Sequence, residues 1–206
     1  MHAQRLIEDI DVTLADAPFF RPGGSLLIMV GLPGVGKSHL VAHLQKIVPC
    51  VVVSTDGIRL FIRETPTYTA AEVMYMYEIC YSVIDRRLRK GQRVIFDGSN
   101  YLQARRQRAL SIAERHNAPA AVVHVQAAEE VTRARLQRRM SSPSKGHDLS
   151  DAGWSVYQWM VEAQEPIAVP HHRADTTSTP PEVLAEQVRQ YWMACEEEFC
   201  QTDDRL

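Results

Sequence analysis

Hydrophobic residues fall along this chain in two alternating textures. Short runs with little polar alternation occupy Ser25–Val30, Val51–Ser54, Arg93–Phe96 and Ala120–Val125. Such runs read as strands covered on both faces, because neither side of the pleat carries a water-facing set. Between them apolar positions recur every three or four residues. Over Ala70–Lys90 the recurring positions are Val73, Met76, Tyr77, Cys80, Val83, Ile84 and Leu88, which fall on one helical face, and Gly91 ends the pattern. The same spacing predicts helices over Ile7–Leu14, His39–Val48, Leu102–His116, Glu129–Arg139, Asp151–Gln164 and Pro181–Phe199. The last opens with Pro near its first turn, where the missing N–H costs nothing. A fifth, weaker strand is expected around His172–Thr176. Arg21–Gly24 reads as a turn and Ser141–Asp148 as a polar loop.

Strands alternating with helices predict an α/β fold with a mostly parallel sheet of five strands and helices on both faces. That is a three-layer sandwich. A helical lid is expected near residues 133–152, from the basic helix end and the polar loop that follows. A chain of 206 residues fits one domain. It divides into an N-terminal helix and linker (1–24), a core (25–176) and a C-terminal helix (177–206). Parallel sheets of this kind place their ligands beyond the carboxyl ends of the strands. The residues that follow each strand are therefore the candidates for chemistry.

Composition narrows the class. Hydrophobic residues make up 45% and charged residues 23% of the chain, which excludes a disordered or fibrous protein. The apolar runs fall far short of the ~20 residues of a membrane span. Acids stand in the N-terminal segment where a secretory signal needs an apolar core, so no secretory address is expected. The four cysteines show neither zinc nor disulfide spacing, and a reduced cytoplasmic home is the default. The net charge of −2 hides an asymmetry: Arg86–His147 holds 14 Lys or Arg against four acids, while the remainder holds nine against 21. Nineteen of the 23 basic residues are Arg, the side chain that grips phosphate in a bidentate fork. The asymmetry points to a polyanionic ligand.

The segment after the first strand, Gly31-Leu32-Pro33-Gly34-Val35-Gly36-Lys37-Ser38, matches G-x-x-x-x-G-K-[ST]. Its glycines let backbone N–H groups turn towards phosphate oxygens, Lys37 can reach the β- and γ-phosphates, and Ser38 can ligate Mg²⁺. The pattern follows a strand and opens a helix, the context it requires. His39, next in line, joins the nucleotide-binding candidates. With His43 it forms an i, i+4 pair, but no third metal ligand accompanies them.

The second strand leads into Asp56, with Arg59 three residues later. At a helix start these share a face, so a carboxylate that can accept a proton sits beside a cation that can hold an anionic acceptor. The third strand ends in Asp97, the pattern of an aspartate that helps hold Mg²⁺. Arg105, Arg106 and Arg108 lie in the first turns of the next helix, where positive charge opposes the helix dipole. Arg106 is taken as the acceptor-side member. Arg133, Arg135, Arg138 and Arg139 end the helix before the polar loop, and a lid there could bring Arg onto a transferring phosphate. Trp154, Tyr157 and Trp159 are expected to pack their helix.

Taken together, GLPGVGKS, Asp56-x-x-Arg59, Phe96-Asp97-Gly98-Ser99-Asn100 and Arg135-x-x-Arg138 resemble the P-loop kinases related to the 5′-kinase domain of polynucleotide kinase. The segment from Ser150-Asp151-Ala152 to Glu165-Pro166 is similar to the post-lid helix of bacterial kinase-like ATP-binding proteins. The resemblance spans Leu26 to Thr176. It implies a nucleoside-kinase-like P-loop fold, ATP and Mg²⁺ as ligands, and transfer of the γ-phosphoryl group to a hydroxyl. It also implies that Asp56 is the general base, that Arg59 binds acceptor phosphate, and that Arg138 or Arg135 contacts the donor. A polynucleotide 5′-hydroxyl is the first acceptor it suggests. A small-molecule kinase (of a nucleoside, sugar or antibiotic) and a nucleotide-dependent ATPase switch are the alternatives.

Overall fold

All six residues of the first strand, β1 (Ser25–Val30), are buried. Leu27 and Met29 enter one apolar cluster and Leu26, Ile28 and Val30 the other. This is the period-two alternation of a strand covered on both sides. The computed structural model describes residues 2–62, 69–141 and 153–203. Its elements run α1 (His2–Thr13), β1, α2 (Lys37–Leu44), β2 (Val51–Ser54), α3 (Thr55–Ile62), α4 (Ala70–Arg89), β3 (Arg93–Asp97), α5 (Gln103–Arg115), β4 (Ala120–Gln126), α6 (Glu129–Ser141), α7 (Trp154–Ala163), β5 (His172–Asp175) and α8 (Pro181–Asp203).

The five strands form one sheet in the order β2-β3-β1-β4-β5, and every neighbouring pair is parallel. Helices α2, α6, α7 and α8 supply the cluster on one face; α1, α3, α4 and α5 supply the other. The register is what positions the site. Ile28 pairs with Phe96, and Ser54 pairs with Asp97. The chain therefore leaves β2, β3 and β1 at nearly one level, side by side.

The strands match their expected positions, and the helices agree to within a few residues. Two departures have local causes. Helix α2 starts at Lys37, inside the glycine motif, and ends at Leu44 rather than Val48. Helix α3 is a separate eight-residue element that apolar periodicity does not set apart, since Gly57 interrupts its short sequence. The expected polar loop beyond Ser141, and the start of the following helix at Asp151 and Ala152, lie outside the described residues. No helix among the described residues is long and apolar enough to cross a membrane.

The last helix is bolted to the first strand. Trp192 is fully buried, and its indole Nε1 donates to Ser25 Oγ at 2.8 Å. Trp192→Ala should therefore cost about 3–5 kcal/mol in denaturant unfolding, the usual loss for a large buried side chain. Trp192→Phe should cost less, because it keeps most of the packing and loses chiefly the hydrogen bond. An alanine variant that unfolds at the parent midpoint would show that α8 is not part of the cooperative core.

Candidate active site

The phosphate-loop motif is shaped by glycine and held from above. Gly36 caps α2 in the left-handed region, at φ 94°, and a Cβ there would come within 3.4–3.6 Å of Thr176 and Arg135. Gly34, at φ 79°, leaves room for α6: a Cβ would lie 2.8 Å from Leu136 Cγ. Leu32 and Val35 turn their side chains into the core. Their part in any phosphate cradle is thus the backbone's, as is that of Gly31, and none of the three lines the cavity that the motif opens onto. Lys37 Nζ donates to Leu32 O at 3.0 Å, so the lysine folds back over its own loop.

Beside the loop, Ser38 Oγ donates to Asp97 Oδ2 at 2.8 Å. The parallel pairing of β1 with β3 brings these residues together across 59 positions of sequence. Burial pushes the Asp97 carboxyl above its ordinary range. Lys37 and the Ser38 hydrogen bond pull it back, and Asp56 pushes it up again. That last influence places Asp56 within electrostatic reach of Asp97. Next to Ser38-Asp97 the loop Gly98-Ser99-Asn100 is pinned by buried Asn100, whose Nδ2 donates to Met29 O at 2.8 Å.

Asp56 lies in the first turn of α3, while Ser54 Oγ accepts the Gly57 N–H at 3.3 Å. The Asp56 carboxylate is therefore left for Arg59, whose Nη1 sits 3.1 Å from Asp56 Oδ1. Arg59 also faces Glu72 of α4, at 3.8 Å from Nε to Oε1. Glu72 was not among the sequence candidates. Its spacing to Arg59 crosses residues 63–68, and only the packing of α3 on α4 brings them together.

A cavity of about 1410 Å³ unites these groups. Pro33, Gly34, Gly36, Lys37, Ser38 and His39 line it, with Asp56, Arg59, Asp97, Arg135, Arg138 and Arg139. Its wall also includes Tyr77, Tyr101, Arg105 and Trp159, which sequence reasoning did not assign. Trp159 is 57% exposed and meets Tyr101 edge-on, with ring centroids 6.0 Å apart. Trp154 behaves as expected: it stacks on Tyr157 at 4.8 Å.

Two arginines differ from expectation. Arg106 does not face the cavity. It is 3% exposed and donates to the carbonyls of Asn100, Tyr101, Glu165 and Pro166, so it clamps the loop after β3 to the segment after α7. Its neighbour Arg105 takes the cavity side. Adjacent helical residues point about 100° apart, and only packing decides which turns inward. Arg135 is tied rather than swinging: Nη1 donates to Thr176 Oγ1 and Nη2 to Thr176 O, both at 2.8 Å. Nη1 also reaches Val35 O at 3.4 Å. Burial and the neighbouring Arg138 lower its pKa. Arg138 and Arg139 reach the same cavity from α6. His39 and His43 form no metal site: among the described residues no group of three or more potential ligands exists.

The profile of the AAA domain family matches residues 26–167. The chain belongs to the AAA domain family. Its fold is that of the P-loop kinases. APS kinase CysC of Mycobacterium tuberculosis, solved with AMPPNP and APS, superposes with a TM-score of 0.63 at 16% identity, over 83% of this chain and 98% of that one. Kti12 of Chaetomium thermophilum, solved with ADP-AlF3, gives 0.63 at 17% identity, over 82% and 99%. A gluconokinase of Sinorhizobium meliloti 1021 gives 0.54 at 20% identity, over 90% and 99%. No polynucleotide kinase is among these neighbours, and at such identities they speak for the fold.

The raised pKa of Asp97 makes a stability prediction for this AAA domain. A carboxyl pushed up in the fold costs stability above its folded pKa, and the cost vanishes once both states are protonated. In the absence of nucleotide, Asp97→Asn should therefore stabilise the protein at pH 8, by about 1 kcal/mol. The gain should shrink on acidification and disappear below about pH 4, near the ordinary Asp value. Urea unfolding at several pH values reads it. A loss of stability at pH 8 would mean that Lys37 and Ser38 outweigh burial.

Proposed function

We propose that the protein is an ATP-dependent phosphotransferase that moves the γ-phosphoryl group of ATP to a hydroxyl acceptor. One observation carries this reading: the cavity that holds the phosphate-loop motif also holds a carboxylate, Asp56, in the first turn of the helix that follows β2, the strand beside Asp97's own. A transferase needs such a carboxylate to orient the attacking hydroxyl and take its proton.

The roles follow from position. The loop from Gly31 to Ser38, with Lys37 and His39, receives the phosphates of ATP at the positive end of α2. Arg135, Arg138 and Arg139 approach from α6 and offset charge on the donor, with Arg135 held in place by Thr176. Ser38 and Asp97 offer a hydroxyl and a carboxylate already in hydrogen-bond contact, a hard-oxygen set that suits Mg²⁺. Bound there, Mg²⁺ supplies charge neutralisation at the phosphates. The acceptor oxygen bonds to the γ-phosphorus while the bond from that phosphorus to the bridging oxygen breaks. ADP departs, and the acceptor's proton passes to Asp56. Arg59 holds that carboxylate through its ion pair.

The acceptor is read as a small molecule. Apolar and aromatic residues, including Met76, Tyr77, Val156, Trp159 and Met160, line the cavity that also holds Asp56 and Ser38. Among fold neighbours, APS kinase and a gluconokinase act on small alcohols by their names, which supports the same scale here. A polynucleotide 5′-hydroxyl is the competing acceptor, and an ATPase switch is the competing class.

Transfer of labelled γ-phosphate to a panel of 5′-hydroxyl oligonucleotides, nucleosides, sugars and anionic alcohols distinguishes them. Lys37→Ala should abolish transfer to whichever acceptor works. Asp56→Asn should keep nucleotide affinity near normal and lower transfer about 10²–10⁴-fold, the usual worth of general acid–base catalysis. If Asp56→Asn loses nucleotide binding instead, Asp56 belongs with the metal ligands. Hydrolysis unaffected by any acceptor would favour the switch.

A further inference from the structure

We infer that Arg105, not Arg59, binds an anionic group on the acceptor, and that the acceptor is therefore an alcohol bearing a carboxylate, phosphate or sulfate. The inference rests on the phosphotransferase reading for the word acceptor, but the anion site rests on geometry alone. Arg59 is already neutralised. Asp56 lies 3.1 Å from one guanidinium nitrogen, Glu72 lies 3.8 Å from another, and the Arg59 side chain is 13% exposed. An anion placed there would have to displace or repel two carboxylates. With that ion pair Arg59 sets the direction of the Asp56 carboxylate, which makes it a positioning residue.

Arg105 is the opposite case. Its guanidinium lies between two aromatic rings, 4.2 Å from the centroid of Tyr77 and 4.9 Å from that of Tyr101. Nη1 donates to the Tyr77 hydroxyl at 3.1 Å. Among the described residues no carboxylate lies within ion-pair distance of it. A guanidinium carries five N–H donors, so most of its donors remain for a ligand. Arg105 also stands in the first turn of α5, where the Glu165 carboxylate accepts the Gln103 N–H and so meets the helix dipole, while the Arg105 guanidinium itself has no such counter-charge among the described residues. The contacts with both rings and the bond to the Tyr77 hydroxyl restrain the guanidinium, which lowers the entropy cost of gripping an oxyanion.

The placement suits an acceptor lying alongside Asp56. Glu72, which touches Arg59, and Tyr77, which touches Arg105, are five residues apart on α4, about 7.5 Å of helical rise. Arg59 and Arg105 therefore face the cavity from adjacent stretches of one wall. A small molecule can present its hydroxyl to Asp56 and its oxyanion to Arg105 at once. The cations of α6 and Lys37 serve the donor phosphates, which leaves Arg105 as the acceptor's counter-charge.

A binding experiment that needs no turnover tests this. With the phosphate loop saturated by Mg·AMPPNP, the protein is titrated with phenyl phosphate, benzoate and benzyl alcohol, followed by NMR of the probe. At least one anionic probe should bind roughly tenfold or more tightly than benzyl alcohol, about 1.4 kcal/mol. The better anion separates a phosphate-type from a carboxylate-type acceptor. Arg105→Ala should erase the preference, Arg105→Lys should keep part of it, and Arg59→Ala should leave it within about threefold. Thermal melts and AMPPNP affinity report whether each variant is folded, and Arg105→Gln, which retains a donor for Tyr77, replaces an alanine variant that is not. In transfer assays Arg105→Ala should raise the acceptor KM, whereas Arg59→Ala should act mainly on kcat. No anion preference in the parent overturns the inference, as does a preference lost with Arg59→Ala and kept with Arg105→Ala. Arg105-dependent binding in a protein that phosphorylates no acceptor would refute the transferase reading and leave the anion site standing.

Discussion

A carboxylate taken out of water needs donors, and the site is arranged around one that has them. Asp97 ends a strand whose last four residues are buried, and Ser38 meets it with a hydroxyl. For that contact to form, β1 and β3 must be adjacent, parallel and in the register that sets Ile28 against Phe96. The same register sets Ser54 against Asp97 through β2. One buried acid thus ties together the level of three strand ends, and with them the phosphate loop, the metal-ligand candidates and Asp56. The stability lost to burying Asp97 is the kind of local expense that binding sites tolerate.

The arginine-rich half of the chain divides into two physical roles. Arg106 and Arg135 spend their guanidinium groups mainly on backbone carbonyls. Arg106 joins the loop after β3 to residues 165–166, and Arg135 joins the phosphate loop to the turn after β5. Loops at the end of a parallel sheet have few ladder bonds of their own, and a fork with five donors can satisfy several carbonyls at once. These residues make the rim rigid. Arg105, Arg138 and Arg139 instead put charge into the cavity. The basic surplus is therefore partly scaffold and partly charge lining the cavity.

The cavity arginines also divide between the two faces of the sheet. Arg135, Arg138 and Arg139 arise from one helix, α6, which packs on the phosphate loop at Gly34 through Leu136. Arg59 and Arg105 arise from α3 and α5, on the face of the sheet that α4 covers. Asp97 ends β3, and Asp56 follows β2, the edge strand beside it. On the phosphotransferase reading, separate cations for donor and acceptor keep two negatively charged reactants from competing for one set.

Much of this was legible in the chain itself. Apolar runs without alternation marked the first four strands, because a strand covered on both faces has no polar side to show; the fifth, His172–Asp175, has no such run and stood out only weakly. The spacing of Gly34, Gly36, Lys37 and Ser38 marked the phosphate loop, because a backbone that must curl around an anion needs glycine at set positions. Acids directly after apolar runs marked Asp56 and Asp97. What the chain could not tell was which side chains meet across it. Glu72 reaches Arg59 only because α4 lies against α3. Tyr77 and Tyr101 enclose Arg105 from an earlier helix and a loop. Arg105 and Arg106 are adjacent and chemically identical, so local propensity cannot separate them. The packing of α5 alone turned Arg106 towards buried carbonyls and Arg105 towards the cavity. Local pattern determines elements and motifs, which depend on neighbours in sequence; the direction of a charge depends on neighbours in space, and those exist only once the sheet and its helices have closed.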